Sequence, residues 1–307
     1  MPTSLSPIPP RSPGSSRPPD PRSLRRSPPS PRRDGDALAL RHHRVQRLRR
    51  LSSRRSARES ERAFVVEGAK VLKEALDAGV PIESVYVDAA SPEAAETRRA
   101  VALADVAFER GARVFELARG VMARVTDTVT PQPVVAVVPY VDVPLAGVRD
   151  ASLLVVCVDV RDPGNAGTVL RSAEAAGAGG VVFASGSVDV YNPKTVRASA
   201  GSLFHVPVVT GGDAVEVLDE VGRWGVRRLA TAVRDGVEYD ALDLVSPFAL
   251  VLGNEAHGLP DDLVSSVDDA VTIPMAGRTE SLNVGMAAAV LCFEAARQRR
   301  HAAGGTA

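Results

Sequence analysis

Short apolar runs alternate with longer segments of mixed polarity from residue 63 onward, and this pattern predicts alternating strands and helices. AFVVEG (63–68) predicts a strand, AKVLKEALDAG (69–79) predicts an amphipathic helix, and IESVYVD (82–88) predicts a second strand. The alternation continues to PVVAVVPY (133–140). We therefore predict a small α/β domain, which together with the basic segment before it spans residues 41–142.

A second alternating series fills residues 151–302. Its apolar runs are nearly continuous, as expected for the strands of a parallel sheet that is covered on both faces. The predicted strands lie at residues 153–160, 180–185, 204–209, 228–233, 248–254 and 270–275. His205 is expected to be partly buried within the third of them. The last predicted helix spans residues 281–299, so the fold class is α/β with a mostly parallel sheet.

The composition changes sharply before residue 63. Residues 1–33 contain 11 Pro, 8 Ser and 7 Arg, and their few apolar side chains cannot offset the entropy of ordering. We therefore predict that residues 1–40 form a disordered basic arm. The formal net charge of the chain is zero, but residues 1–62 carry 16 Arg against 5 acids, a net +11, which the rest of the chain balances. Such asymmetry indicates an anionic partner.

The arginine-rich segment that follows the arm places Val45, Leu48 and Leu51 on one face of a predicted helix. Its arginines have two interpretations: a solvated helix face, or a surface that binds RNA phosphates. Under the second interpretation, Arg54 and Arg55 are predicted RNA contacts.

Several functional classes lack their sequence patterns. No apolar run is long enough to span a bilayer, and the N-terminus has no secretory signal core, so we expect a cytoplasmic protein without a membrane segment. Cys157 and Cys292 stand in apolar surroundings, which favours a buried structural role. The histidines lack metal-ligand spacing, and the dinucleotide, phosphate-loop, zinc and serine-hydrolase motifs are missing, so we expect no metal.

Three segments carry polar residues and glycines just after predicted strands, where α/β sheets place their ligand crevice. DPGNAGTVLR (162–171) holds Asn165 on a turn and Arg171 on the helix that follows. LGNEAHGLP (252–260) is a glycine-bracketed loop, and IPMAGRTESLNV (273–284) leads into the last helix. Taken singly, each segment is typical of turns and helix caps; glycines at such places also allow a backbone to approach a ligand closely.

Together, the three segments resemble the SpoU (TrmH-type) RNA 2′-O-ribose methyltransferases of the SPOUT superfamily, whose signatures read DPGNxGxxxR, LGNExxGL and IPMxGxxxSLNV. The intervening NPKTVRASAGSLFHVPV is similar to the family's middle segment. Upstream, AFVVEGAKVLKEALDAG resembles the ribosomal-protein-like substrate-binding domain of the rRNA-modifying members. Gly285 departs from the family pattern, which often has Ser there; this removes one hydroxyl contact and loosens the helix start.

The resemblance implies that residues 151–302 form a trefoil-knotted domain that binds S-adenosylmethionine and pairs as a homodimer. It implies methyl transfer to a ribose 2′-hydroxyl in RNA, and the N-terminal domain favours 23S rRNA. Two alternatives stay open: a tRNA 2′-O-methyltransferase of the same fold, and an RNA-binding ribosome-assembly protein without catalysis.

The resemblance also assigns site residues. The predicted catalytic residues are Asn165, Arg171, Glu255, Ser281 and Asn283. The predicted cofactor-binding residues are Thr231, Leu252, Gly253, Asn254, Gly258, Ile273, Met275 and Leu282. Because a guanidinium titrates above about pH 12, we expect Arg171 to clamp the target phosphate and orient the hydroxyl, rather than to act as a base. Asn165, Ser281 and Asn283 would position Arg171 and the ribose. Glu255 would hold the loop or an RNA contact, and Arg197 would be a second cation near the RNA.

Overall fold

The computed structural model describes residues 36–88, 94–264 and 266–304. Residues 1–35 of the predicted arm lie outside the described part of the chain. The elements of the N-terminal domain are α1 His43–Ser53, α2 Arg55–Glu61, β1 Ala63–Glu67, α3 Ala69–Asp77, β2 Ser84–Asp88, α4 Ala95–Glu109, β3 Arg113–Leu117, α5 Met122–Val125 and β4 Val134–Pro139.

The strands of this domain form one sheet in the order β1-β4-β2-β3. β4 pairs antiparallel with β1 and β2, with Phe64 opposite Val138, and β2 pairs parallel with β3. Successive side chains of a strand point to opposite faces. Phe64 and Val66 therefore join the core on the side of α3 and α4, whereas Val65 packs on the other face with the side chains of α1.

Helix α1 covers that second face. Val45, Leu48 and Leu51 are all fully buried, which confirms the predicted apolar face. The helical segment is divided in two, because Arg54 adopts an extended conformation between α1 and α2.

The chain joins the sheet before α1 begins. Leu38 is buried and bridges Leu117 at the end of β3. Its backbone amide donates to the carbonyl of Glu116, and the amide of Ala118 donates back to the carbonyl of Leu38. The prediction that the arm extends to residue 40 is therefore wrong at its last residues, because an apolar side chain there packs into the core.

The C-terminal domain holds the larger sheet. A 3₁₀ turn, Leu145–Val148, precedes it, and a second one, Ser202–Phe204, lies within it. Its other elements are β5 Leu153–Cys157, α6 Pro163–Ala175, β6 Gly180–Phe183, α7 Pro193–Ser199, β7 Val208–Thr210, α8 Ala214–Arg223, β8 Arg227–Thr231, β9 Val237–Glu238, β10 Phe248–Leu252, α9 Asp261–Val264, β11 Asp269–Thr272 and α10 Val284–Gly304.

The strand order of this sheet is β7-β6-β5-β10-β8-β11-β9, and all of its paired strands are parallel. The prediction of an α/β fold with a mostly parallel sheet is confirmed. From β5 the chain moves outward to β6 and β7, and it then returns to the other side of β5. The loops that follow β5 and β10 consequently lie side by side at the carboxyl edge of the sheet, where ligands bind in such folds.

The strand predicted at residues 204–209 is wrong in its first half. Gly201, with φ of 107°, leads into the 3₁₀ turn, and β7 begins only at Val208. His205 follows the turn instead of lying inside a strand, and its Nε2 lies 3.0 Å from Oε2 of Glu74. Strands β5, β8, β10 and β11 also end two or three residues earlier than predicted, because the chain turns into the loops that build the site.

Cys157 and Cys292 are buried, as predicted. Burial raises the pKa of both thiols, that of Cys292 to about 12, so neither thiol ionises at neutral pH. Within the described ranges, no helix combines the length and apolarity that a bilayer crossing requires. The same ranges contain no group of three or more acidic, His or Cys side chains arranged to hold a metal ion.

Candidate active site

Asn165 joins the three motif segments at the carboxyl ends of β5 and β10. Its Nδ2 donates a hydrogen bond to Oε1 of Glu255 at 2.8 Å, and its Oδ1 accepts one from Nδ2 of Asn283, also at 2.8 Å. These contacts join residues that are 90 and 118 positions apart in the chain. We call Asn283, Asn165 and Glu255 the site network. The structure thus brings three of the five predicted catalytic residues together.

The start of α6 fixes the position of Asn165. Asp162 is the N-cap residue, and its Oδ1 accepts a hydrogen bond from the backbone amide of Asn165 at 2.8 Å. Pro163 occupies the first helical position, where its missing N–H costs nothing. A Cβ at Gly164 would approach Oδ1 of Asp162 to 2.9 Å, so glycine leaves room for the cap. The DPGN sequence therefore builds a helix start that presents the Asn165 side chain.

Glu255 is ionised at neutral pH. Desolvation by the neighbouring loops alone would raise the pKa of this carboxyl, but the hydrogen bond from Asn165 and those from backbone amides outweigh it and lower the pKa. The amides of Arg161 and Asp162 approach the carboxylate to 3.5 and 3.4 Å. Glu255 thus ties the loop after β10 to the loop after β5 as a charged acceptor.

Asn254 shapes the glycine loop, residues 253–258, from within. Its Nδ2 donates to the carbonyl and to Oδ2 of Asp159, and its Oδ1 accepts from the amides of Ala256 and His257. These hydrogen bonds give the Asn254 side chain a structural role within the loop, and the cofactor contact predicted at Asn254 stays a prediction. Its backbone amide and carbonyl also pair with those of Gly258.

Gly253 and Gly258 permit the loop to close. A Cβ at Gly253 would lie 2.4 Å from the carbonyl carbon of Gly258, and Gly258 has a φ of 70°. The close approach that Gly253 allows is thus made to the backbone of the loop itself.

The third segment ends in a cap that also belongs to the site network. Oδ1 of Asn283 accepts from the amide of Gly285 at 2.9 Å, so α10 starts at Val284, three residues later than predicted. Gly285 is buried, and a Cβ there would come 2.9 Å from Cβ of Thr168 on α6. The departure from the family's Ser is thus a packing feature: it lets α10 and α6 approach closely, rather than loosening the helix start.

The other predicted cofactor residues lie around the same edge. Ile273, Met275 and Leu282 are half-buried apolar side chains of the third segment. Leu252 is fully buried at the end of β10, and its carbonyl accepts a hydrogen bond from Val158. The hydroxyl of Thr231 donates to the carbonyl of Val251 on the neighbouring strand.

Arg171 and Ser281 stand apart from the site network. The guanidinium of Arg171 forms no hydrogen bond or ion pair with the residues described, and neither does the exposed Ser281 hydroxyl. The expectation that Asn165, Ser281 and Asn283 position Arg171 and the ribose therefore stays a prediction. Six positions along an α-helix correspond to about 9 Å of rise, and they place Arg171 and Asn165 on different faces of α6.

The three arginines predicted to contact RNA differ in whether they already form an ion pair within the protein. Nη1 of Arg197 donates to Oε2 of the buried Glu67 at 3.0 Å, so its charge is engaged by the N-terminal domain. Arg55 pairs with Glu59 one turn along α2. Arg54 is exposed, and its side chain forms no hydrogen bond or ion pair with the part of the chain that is described.

Asp159 is a site residue that the sequence reasoning missed. It adopts a φ of 55°, and its carboxylate accepts from Asn254 and from Nε of Arg161. Asp is one of the few residues other than glycine that tolerates this left-handed conformation. Placed between Val158 and Val160, however, it reads as an ordinary strand position, so no local signal reveals it.

Comparison with known proteins identifies both domains. Residues 152–293 match the SpoU rRNA methylase family, and residues 42–136 match the MRM3-like substrate-binding domain. The chain is 35% identical to the 23S rRNA (guanosine(2553)-2′-O)-methyltransferase RlmP of Bacillus subtilis over 77% of this chain and 89% of that protein. It is 34% identical to the 23S rRNA (uridine(2479)-2′-O)-methyltransferase of Streptomyces viridochromogenes, over 85% and 92% of the two chains.

A solved structure agrees with these matches. The AdoMet-bound rRNA methyltransferase from Sinorhizobium meliloti superposes with a TM-score of 0.72 and 31% identity, covering 86% of this chain and 99% of that one. The parallel sheet, the strand-end crevice and these similarities define a class, the S-adenosylmethionine-dependent RNA methyltransferases. Within that class, the chain belongs to the SpoU rRNA methylase family.

Proposed function

We propose that this protein transfers the methyl group of S-adenosylmethionine to the 2′-hydroxyl of a ribose in 23S rRNA. The site network carries the proposal, because it joins the three motif segments at the crevice between β5 and β10. The names of the two relatives and the N-terminal substrate-binding match support rRNA over tRNA.

The crevice fits S-adenosylmethionine. Beside the closed glycine loop, residues 253–258, the side chains of Ile273, Met275 and Leu282 offer half-buried apolar surface for the adenine ring. When bound, this cofactor supplies a methyl group on a sulfonium, and because the leaving thioether is neutral the reaction needs no general acid.

The remaining task is to orient and deprotonate a ribose hydroxyl. A neutral hydroxyl is a weak nucleophile, so much of the rate must come from its placement in line with the methyl group. Arg171 stays protonated, clamps the target phosphate and orients the hydroxyl, whose proton passes to that phosphate or to water. The ionised Glu255, held by Asn165, connects the loop after β10 to the loop after β5 and does not act as a general acid.

The homodimer and the trefoil knot are further parts of this proposal. Met286 and Phe293 on α10 are 60% and 48% exposed. They are seven residues apart and therefore lie on one helix face, which a second copy of the chain would cover. The knot follows from the likeness to SpoU-type structures.

The test is transfer of labelled methyl from S-adenosylmethionine to separated rRNA and tRNA fractions. We expect label in rRNA with the wild-type protein, and its loss with Arg171→Ala. Arg223→Ala is the matched control, because Arg223 is an exposed helical arginine on α8, away from the crevice. Label in tRNA alone would support the tRNA alternative. Absence of label from every RNA would support an RNA-binding protein without catalysis.

A further inference from the structure

A cavity of about 750 Å³ lies where the two domains meet. Lys70 and Glu74 of α3 line it on the N-terminal side, and Arg171 and Glu174 of α6 line it on the opposite side together with His205. Phe293 of α10 also lines the cavity, so the second copy in the proposed homodimer would border it. A volume of this size is within the range of about 300–1,000 Å³ that is typical of ligand pockets. Arg171, which lacks a partner in the site network, thus borders an open cavity that residues of the other domain also line.

The acidic side chains that line the cavity have hydrogen-bond partners, whereas Lys70 and Arg171 have none among the described residues. Glu74 contacts Nε2 of His205 at 3.0 Å, and Oε2 of Glu174 accepts from the Ser202 hydroxyl at 3.4 Å. Both acids therefore hold the segment that contains the second 3₁₀ turn. Lys70 and Arg171, in contrast, form no hydrogen bond or ion pair with any described residue. Two uncommitted cations, one from each domain, line a single cavity.

The distance between these cations is fixed by the domain junction. Tyr191 of the C-terminal domain packs against Phe64 and stacks on Tyr140, with ring centroids 4.7 and 3.8 Å apart. Arg58 donates to Asp189 from Nε at 2.8 Å and from Nη2 at 2.5 Å, and both side chains are at least nine-tenths buried. The described residues of both domains belong to one compact unit. The cavity is therefore built into the fold.

Gly201 brings the two walls together. A Cβ at this position would lie 2.3 Å from Cγ of Glu74, and the φ of 107° also favours glycine. This loop packs closely against α3 at Glu74. Lys70 lies one turn before Glu74 on that helix, and it therefore lines the same cavity as Arg171.

We propose that this junction cavity binds the RNA backbone next to the methylated ribose, with one phosphodiester held between Lys70 and Arg171. Outside the N-terminal 62 residues the chain carries a net −11, so local unpaired cations must supply the attraction for RNA. Lys70 would then be a positioning residue that sets the target ribose at a fixed distance from the substrate-binding domain. This inference rests on the proposed RNA methyl transfer.

The test compares Lys70→Ala, Lys70→Arg and the matched control Lys73→Ala in the full-length protein. Lys73 lies on the same helix, is exposed and pairs with Asp77. We expect Lys70→Ala to raise the KM for 23S rRNA by about tenfold with little change in kcat, as expected for one lost charge-assisted contact. The dependence of RNA affinity on salt should weaken by about 0.7–0.9 in logarithmic slope. Lys70→Arg should restore most of the affinity, and calorimetric binding of S-adenosylmethionine should be unchanged.

The outcomes separate the two proposals. If the wild-type protein methylates RNA, but Lys70→Ala matches Lys73→Ala in KM and salt slope, the cavity does not hold a phosphate and this inference is wrong. A loss of S-adenosylmethionine binding in Lys70→Ala would also overturn it, because that would indicate a structural role. If the wild-type protein neither binds nor methylates any RNA, the proposed function itself fails.

Discussion

Substituting Asn165 by Asp tests the site network with a change that hardly alters side-chain volume. In the wild-type protein, Nδ2 of Asn165 donates to Oε1 of Glu255 at 2.8 Å. In the variant, a carboxylate oxygen takes the place of the donor, so two ionised carboxylates face each other. At the 2.8 Å of the wild-type contact, two unit charges repel by roughly 1.5 kcal/mol in water and roughly 6 kcal/mol at an effective dielectric constant of about 20.

Glu255 is exposed, so the lower figure applies. This repulsion raises the pKa of one carboxyl of the pair above its value in the absence of the second charge. At pH 8 both groups are ionised, the hydrogen bond is lost and methyl transfer falls by about tenfold or more. As the pH falls toward 5, one carboxyl binds a proton and donates it to the other, so activity relative to wild type rises.

The assay is methyl transfer by Asn165→Asp divided by that of the wild-type protein, at each pH from about 8 to about 5. Asn165→Ala is the control, because it removes the amide without adding a charge, and its ratio to wild type should stay low and flat. A ratio for Asn165→Asp that is equally flat, or close to one at pH 8, would refute the role assigned to this contact.

Three further substitutions test the packing that supports the site. Gly253→Ala should weaken S-adenosylmethionine binding by about tenfold or more in calorimetry, because overpacking against Gly258 costs about 1–3 kcal/mol. Gly285→Ser should lower the free energy of unfolding by about 1–3 kcal/mol in urea, and a Thr168→Ala background should recover part of the loss. Arg58→Met should lower the free energy of unfolding by about 3–5 kcal/mol, because it leaves the buried carboxylate of Asp189 unpaired; an unchanged denaturation midpoint would contradict this.

Local sequence patterns predicted the secondary-structure elements and the motif residues of the site well, but they predicted contacts between distant residues poorly. The spacing of Val45, Leu48 and Leu51 identified the buried face of α1, and near-continuous apolar runs identified the parallel sheet. The three motif segments identified Asn165 and Asn283, which the structure joins. These features depend on short-range periodicity, which a single sequence displays directly.

Two contacts were not predicted from the sequence, the surroundings of Arg171 and the Arg58–Asp189 pair, and each has its own physical reason. Arg171 belongs to the same motif as Asn165, but helix geometry carries it to another face, and its neighbour across the cavity is Lys70 of the other domain. Arg58 and Asp189 are 131 residues apart, and no periodicity marks which of many arginines meets which acid. Arrangements that arise from the packing of two domains leave no signal in local sequence.

The measurement that tests the central claim most directly is the chemical position of the transferred methyl group. Ribosomal RNA would be incubated with the full-length protein and labelled S-adenosylmethionine, and then hydrolysed in alkali. A 2′-O-methyl group blocks cleavage of the adjacent phosphodiester, so the account predicts label in an alkali-resistant dinucleotide, and its loss with Asn165→Ala. Label released entirely in mononucleotides would place the methyl group on a base and contradict the account.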